Sequence, residues 1–141
     1  MRYVLPVAAA TLAIAAFAVL APARAEDPIV GTWTGKLTQP DNEPFEMTAT
    51  FVSPRGGVTR YPGFPCGGVL VGNRKGSEYE YEETISWGGV EEVDPGCLSG
   101  NVSISVNGDK MQFTWTGASG DTQYKASGEL TRQRAGGGGG D

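Results

Sequence analysis

The chain has no histidine and only two cysteines among its 141 residues, and each shortage removes chemistry. Without imidazole there is no conventional Ser-His-Asp set and no histidine metal site. The cysteines, Cys66 and Cys97, form no C-x-x-C motif and have no histidine to act as their base, so a redox or nucleophilic role lacks support. Gly67-Gly68 and Gly88-Gly89 lack the G-K-[ST] ending of a phosphate loop. The acidic cluster Glu78, Glu80, Glu82, Glu91, Glu92 and Asp94 lacks the D-x-D-x-D-G spacing of a calcium loop. It reads as a solvated face, and no metal or other cofactor is expected. Basic residues are also few, 11 Lys and Arg against 16 Asp and Glu, for a net charge of −5. Such a chain repels nucleic acid and anionic membranes and favours a basic partner or none.

Long apolar runs are missing except at the start. Arg2, the nearly unbroken apolar residues 4–20 and the triplet Ala23-Arg24-Ala25 read as a signal peptide, residues 1–25, cleaved after Ala25. An uncleaved anchor is the alternative, since a spanning helix needs only roughly 20 apolar residues. Pro22 and the A-x-A site favour cleavage, which would leave no stable membrane insertion and a secreted or periplasmic protein. Cleavage removes two arginines and no acid, taking the net charge to −7. Residues 26–134 are the expected domain, and the glycine-rich residues 135–141 a flexible tail with nothing to bury. In an exported chain Cys66 and Cys97 most simply form one disulfide.

What the sequence has instead is period-two alternation. Phe45, Met47, Ala49 and Phe51 alternate with Glu46, Thr48 and Thr50. Tyr79, Tyr81, Glu83, Ile85 and Trp87 oppose Glu78, Glu80, Glu82, Thr84 and Ser86. Met111, Phe113 and Trp115 make a third inward face, and Tyr124, Ala126, Gly128, Leu130 and Arg132 a fourth. Turns are expected at Pro54-Arg55-Gly56-Gly57, at Asn73-Arg74-Lys75-Gly76, at Asn107-Gly108 and at residues 118–121. The pattern predicts an all-β fold of about eight strands in an antiparallel meander closed into a small barrel, with a two-sheet sandwich as the alternative.

Gly31-x-Trp33 near the start and Arg132 in the last strand resemble the arrangement of calycins, the lipocalin and avidin superfamily. That resemblance implies an arginine stacked over a tryptophan at the closed end of a barrel. Gly31-x-Trp33-x-Gly35, Tyr61-Pro62, Cys66-Gly67-Gly68-Val69-Leu70, Glu83, Cys97 and Gly128-x-Leu130-x-Arg132 together resemble an uncharacterised small bacterial β-barrel domain, found exported or at the ends of signalling proteins. This likeness brings no activity with it.

Glu83 is the residue that the pattern singles out, because alternation puts its carboxylate on an aromatic inward face. Burying it unpaired costs several kcal/mol. It either contacts a ligand in a barrel mouth or is satisfied internally, by Arg60, by Arg132 or by backbone amides near Cys66. Tyr61, Tyr81, Glu83 and Trp115 are the candidate ligand contacts. The number of inward rings predicts a mostly filled interior, with room at an aromatic mouth for a small apolar molecule rather than a lipid cup. The expected function is a non-enzymatic, lipocalin-like binding module for a small ligand or a cell-envelope component. The alternative is an envelope accessory protein or a lysozyme- or protease-inhibitor-like protein, whose acidic face and glycine-rich loop near residues 88–96 meet a basic protein.

Overall fold

The computed structural model describes residues 26–134, so the signal-peptide and tail expectations lie outside the described residues. Eight strands follow one another: β1 (Gly31–Leu37), β2 (Phe45–Ser53), β3 (Gly56–Tyr61), β4 (Cys66–Lys75), β5 (Glu78–Trp87), β6 (Gly100–Asn107), β7 (Lys110–Ser119) and β8 (Thr122–Arg132). Each pairs antiparallel with its neighbour, and β1 pairs with β8, which closes a barrel and excludes the sandwich. Closure removes the free edges that a sheet of this length would otherwise present.

The closing seam depends on glycine. A Cβ on Gly35 would lie 2.4 Å from the Glu129 carbonyl oxygen, and one on Gly128 would lie 2.1 Å from that of Lys36. No side chain fits where the two terminal strands press together. Beyond the Gly35–Leu130 pair the ladder is interrupted, and Thr38 and Ser127 resume it in the same register with reciprocal backbone hydrogen bonds of 2.8 and 3.0 Å.

Several strands run further than their apolar alternation. β4 continues through Asn73, Arg74 and Lys75, so the hairpin turns at Gly76-Ser77. β3 begins at Gly56, leaving Pro54-Arg55 as the turn, and β6 continues through Asn107, so that chain reverses at Gly108-Asp109. In each case the ladder of backbone hydrogen bonds continues past the last core residue, because solvated polar side chains do not interrupt it.

The interior is packed at the closed end by Trp33, Phe51, Tyr79, Met111, Phe113 and Leu130. Residues 26–30 fold beneath as a plug. Ile29 is buried, its carbonyl accepts from Trp33 Nε1 at 2.8 Å, and its amide donates to Asp27 Oδ1 at 3.0 Å. Tyr79 OH and Arg74 Nη1 also donate to Asp27. Burial works to raise the Asp27 pKa, but these hydrogen bonds and the Arg74 charge outweigh it and hold the carboxyl below its ordinary value. Arg132 lies 4.3 Å over the Trp33 ring and donates to the carbonyls of Val30 and Pro28. The stacked arginine implied by the resemblance is thus present, and it also ties the plug to the last strand.

Trp87 departs from the expectation. A register shift opposite Gly67 and Gly68 turns the end of β5 outward, and Trp87 is 49% exposed with its indole across Gly67. Strict alternation cannot anticipate a bulge, which reverses the facing of every residue beyond it.

Candidate functional site: the barrel mouth

At the end opposite the plug, the chain passes through the loops at residues 38–44, 62–65 and 88–99 and the turn between β7 and β8. The loop at 88–99 is stitched to itself. Cys97 donates to the Gly88 carbonyl at 3.0 Å, Val90 to the Cys97 carbonyl at 3.1 Å, and Gly88 to Glu92 Oε2 at 3.2 Å. The Cys66–Cys97 disulfide, with a Cα separation of 6.2 Å, anchors this loop to the start of β4.

Beneath the loops lies a cavity of about 550 Å³ open to solvent. Leu37, Phe45, Tyr61, Phe64, Leu98 and Tyr124 form much of its wall, with Phe45 and Phe64 edge to face at 5.5 Å between centroids. The filled interior expected from the rings is therefore confined to the closed half of the barrel. Small-molecule sites commonly occupy about 300–1,000 Å³, so this space suits a small organic ligand.

Glu83 lies in this cavity's lining with 1% of its surface exposed. Its Oε2 accepts from Thr59 Oγ1 at 2.6 Å and from Tyr61 OH at 2.7 Å. Neither arginine proposed as its internal partner bonds to it; Arg132 is engaged at the plug. The Cys66-Gly67-Gly68 motif explains how the hydroxyls reach the carboxylate. Thr59 on β3 pairs with Gly68 on β4, and the next strand, β5, carries Glu83 opposite Leu70. A Cβ on Gly68 would lie 3.1 Å from Thr59 Oγ1 and 3.2 Å from Glu83 Cγ, so the missing side chain lets residues of β3 and β5 meet across β4. Cys66 faces inward to the disulfide, and Gly67 leaves room for Trp87 outside. Each residue of the motif has a separate steric task.

Glu83 Oε1 and Trp115 Nε1 are buried polar atoms without a hydrogen-bond partner. The Trp115 indole lies against Gly100 and Gly117, whose added Cβ atoms would fall 2.6 Å from Nε1 and 2.4 Å from the far edge of the ring. Burial pushes the Glu83 pKa above its ordinary value, against the opposing pull of Thr59, Tyr61 and the neighbouring Trp115 N–H. That N–H favours the carboxylate without making a hydrogen bond to it. Tyr61 is pushed up as well, by burial first and then by the Glu83 charge.

Of the four candidate contacts, Tyr61, Glu83 and Trp115 line the mouth. Tyr81 does not belong to it. It points to the closed end, donates to the Pro54 carbonyl at 2.8 Å and stacks on Tyr79. Its inward phase was readable, but its depth along the barrel depends on stagger between strands. Thr59, Phe45 and Tyr124 belong to the site and were not among the candidates. Phe45 and Tyr124 could have been found as the inward residues nearest a mouth loop, whereas Thr59 shows no signal beyond its position two residues before Tyr61. Glu78, Glu80 and Glu82 are exposed on the outer face of β5, and Glu80 pairs with Lys75 at 2.5 Å. No family model, curated protein or solved structure matches this chain. Among the described residues no helix is long and apolar enough to cross a membrane.

Proposed function

We propose that this chain is an exported, non-enzymatic binding module that holds a small molecule in the mouth of its barrel. The carrying observation is the cavity of about 550 Å³ whose lining includes two buried polar atoms left without partners, Glu83 Oε1 and Trp115 Nε1. A folded protein rarely leaves two such groups unsatisfied in one place, and a ligand bonding to them would recover the cost. The groups around Glu83 are two hydroxyls and an indole, none of them a base, which favours binding over catalysis. The calycin resemblance of Trp33 and Arg132 agrees with a barrel closed at one end and loaded at the other. Export is supported by the disulfide.

Trp115 supplies the assay. Titration of the oxidised protein with a panel of small aromatic and aliphatic compounds should change tryptophan emission, and Trp115→Phe should remove most of the change. A panel without a hit by both fluorescence and native mass spectrometry counts against the reading.

A second reading, binding of a basic protein, draws on the exposed Phe64, Trp87, Val90 and Val93 at the same end as Glu91, Glu92 and Asp94. Binding of a basic lysozyme should then weaken steeply with salt, since screening shortens the reach of surface charge to about 8 Å at physiological ionic strength. Absent or salt-insensitive binding removes it.

A further inference from the structure

Among the described residues three carboxyl groups line the mouth, Glu43, Asp94 and the buried Glu83, and no lysine or arginine does. Glu83 is 1% exposed, and its Oε1 has no hydrogen-bond partner while Oε2 already accepts from two hydroxyls. We propose that the ligand is an organic cation, an amine whose ammonium donates to Glu83 Oε1 while its apolar body lies against Phe45, Leu98 and Tyr124. This rests on the reading of the mouth as a small-molecule site and names the class of molecule.

The alternatives fit less well. An anion would enter past two rim acids with no cation to receive it, and like charges disfavour entry. A purely apolar ligand would leave Glu83 Oε1 as unpaired as before. An ammonium meets the free acceptor, and aromatic faces add attraction to a cation.

Proton balance follows. The groups facing the Glu83 carboxyl are Thr59 and Tyr61 from β3 and Trp115 from β7, with Leu70 beside it on β4. The charged residues across the cavity are Glu43 and Asp94. None is a cation, so in the empty mouth burial keeps the proton on Glu83 to higher pH than usual. An arriving ammonium favours the carboxylate, the carboxyl proton leaves to solvent, and the Trp115 N–H helps hold the charge that forms. Amine binding therefore tightens as pH rises through the Glu83 titration.

Three probes with similar bodies and different heads decide the matter: 2-phenylethylamine, 2-phenylethanol and 3-phenylpropanoate, titrated calorimetrically into the full oxidised protein. The amine should bind at least about tenfold tighter than the alcohol, the return expected for one hydrogen bond to a buried charge. The carboxylate should be weakest. Glu83→Gln should reduce the amine to the affinity of the alcohol, and at mildly acidic pH the wild-type heat should vary with buffer as a proton is released. An alcohol or carboxylate that binds as tightly as the amine overturns the cation assignment but leaves the mouth a ligand site. If none of the three binds, both readings fall. Should Glu83→Gln not fold, the rim variant Glu43→Gln/Asp94→Asn takes its place. A loss of amine affinity of about threefold, relieved by salt, supports the assignment. Amine affinity unchanged in that variant and flat with pH in the wild type overturns it.

Discussion

Replacing Glu83 by glutamine keeps the shape of the side chain and an oxygen to accept from Thr59 and Tyr61, removes the ability to ionise, and puts an amide donor in place of Oε1. Its effect on stability follows from the direction of the pKa shift. Burial raises the folded-state pKa of Glu83 above its ordinary 4.5 despite three groups that favour the charged form. As pH rises past that ordinary value the unfolded chain gives up the proton while the folded chain keeps it. The stability contributed by the protonated group is therefore complete below the unfolded pKa and is lost as pH climbs to the folded one. The loss amounts to as much as about 1.4 kcal/mol per pH unit within that window. The chain has no histidine, and Asp27, with its pKa lowered, acts below the ordinary aspartate value of 3.8. Tyr79 is pushed up to about 12, by burial first and then by Asp27, and so acts only in alkali.

Urea unfolding followed by tryptophan emission, with the disulfide intact, measures this directly. Small domains lose about 1–3 kcal/mol per molar urea, so each pH unit within the window should lower the wild-type midpoint by roughly 0.5–1.4 M. The Glu83→Gln midpoint should lack this decline as pH rises above the ordinary glutamate value of 4.5. A wild-type midpoint that is flat over this range, with Glu83→Gln weaker throughout by more than about 2 kcal/mol, would refute the argument. It would mean that the carboxylate is already charged and satisfied in the folded protein.

Removing the disulfide as Cys66→Ala/Cys97→Ala opens a loop with a sequence separation of 31 and should cost about 3–4 kcal/mol, read as a lower urea midpoint. Arg132→Met forfeits the stack on Trp33 and the bonds to Val30 and Pro28, for a loss of about 3 kcal/mol by the same assay. Arg132→Lys should recover only part, because an ammonium lacks the flat face and the fork. Gly117→Ala places a Cβ 2.4 Å from the Trp115 ring, so the indole must move. A cost of about 1–3 kcal/mol, a shifted emission maximum and weakened binding of any mouth ligand are expected, and unchanged emission would show that the ring yields without leaving its site.

Alternation alone identified which residues face inward along most of the chain, because the period of a strand is two and one face of each strand is apolar. Trp33, Met47, Phe51, Tyr79, Phe113 and Leu130 were readable for that reason, as was the buried position of Glu83, while the cysteine pair was readable because the chain has only two cysteines. Depth along the barrel was not readable. Tyr81 and Glu83 stand two residues apart on the same face of β5, yet one is held at the closed end by Pro54 and the other lines the mouth. That difference comes from strand stagger and closure, which depend on contacts between distant strands. The outward turn of Trp87 likewise arises from a bulge against β4. Local sequence specifies a residue's face, since sterics act between neighbours, whereas the partner that answers a buried charge is chosen only when the sheet closes. Glu83 met hydroxyls from β3 rather than an arginine because Gly68 left a gap between them, a relation among three strands that no single strand encodes.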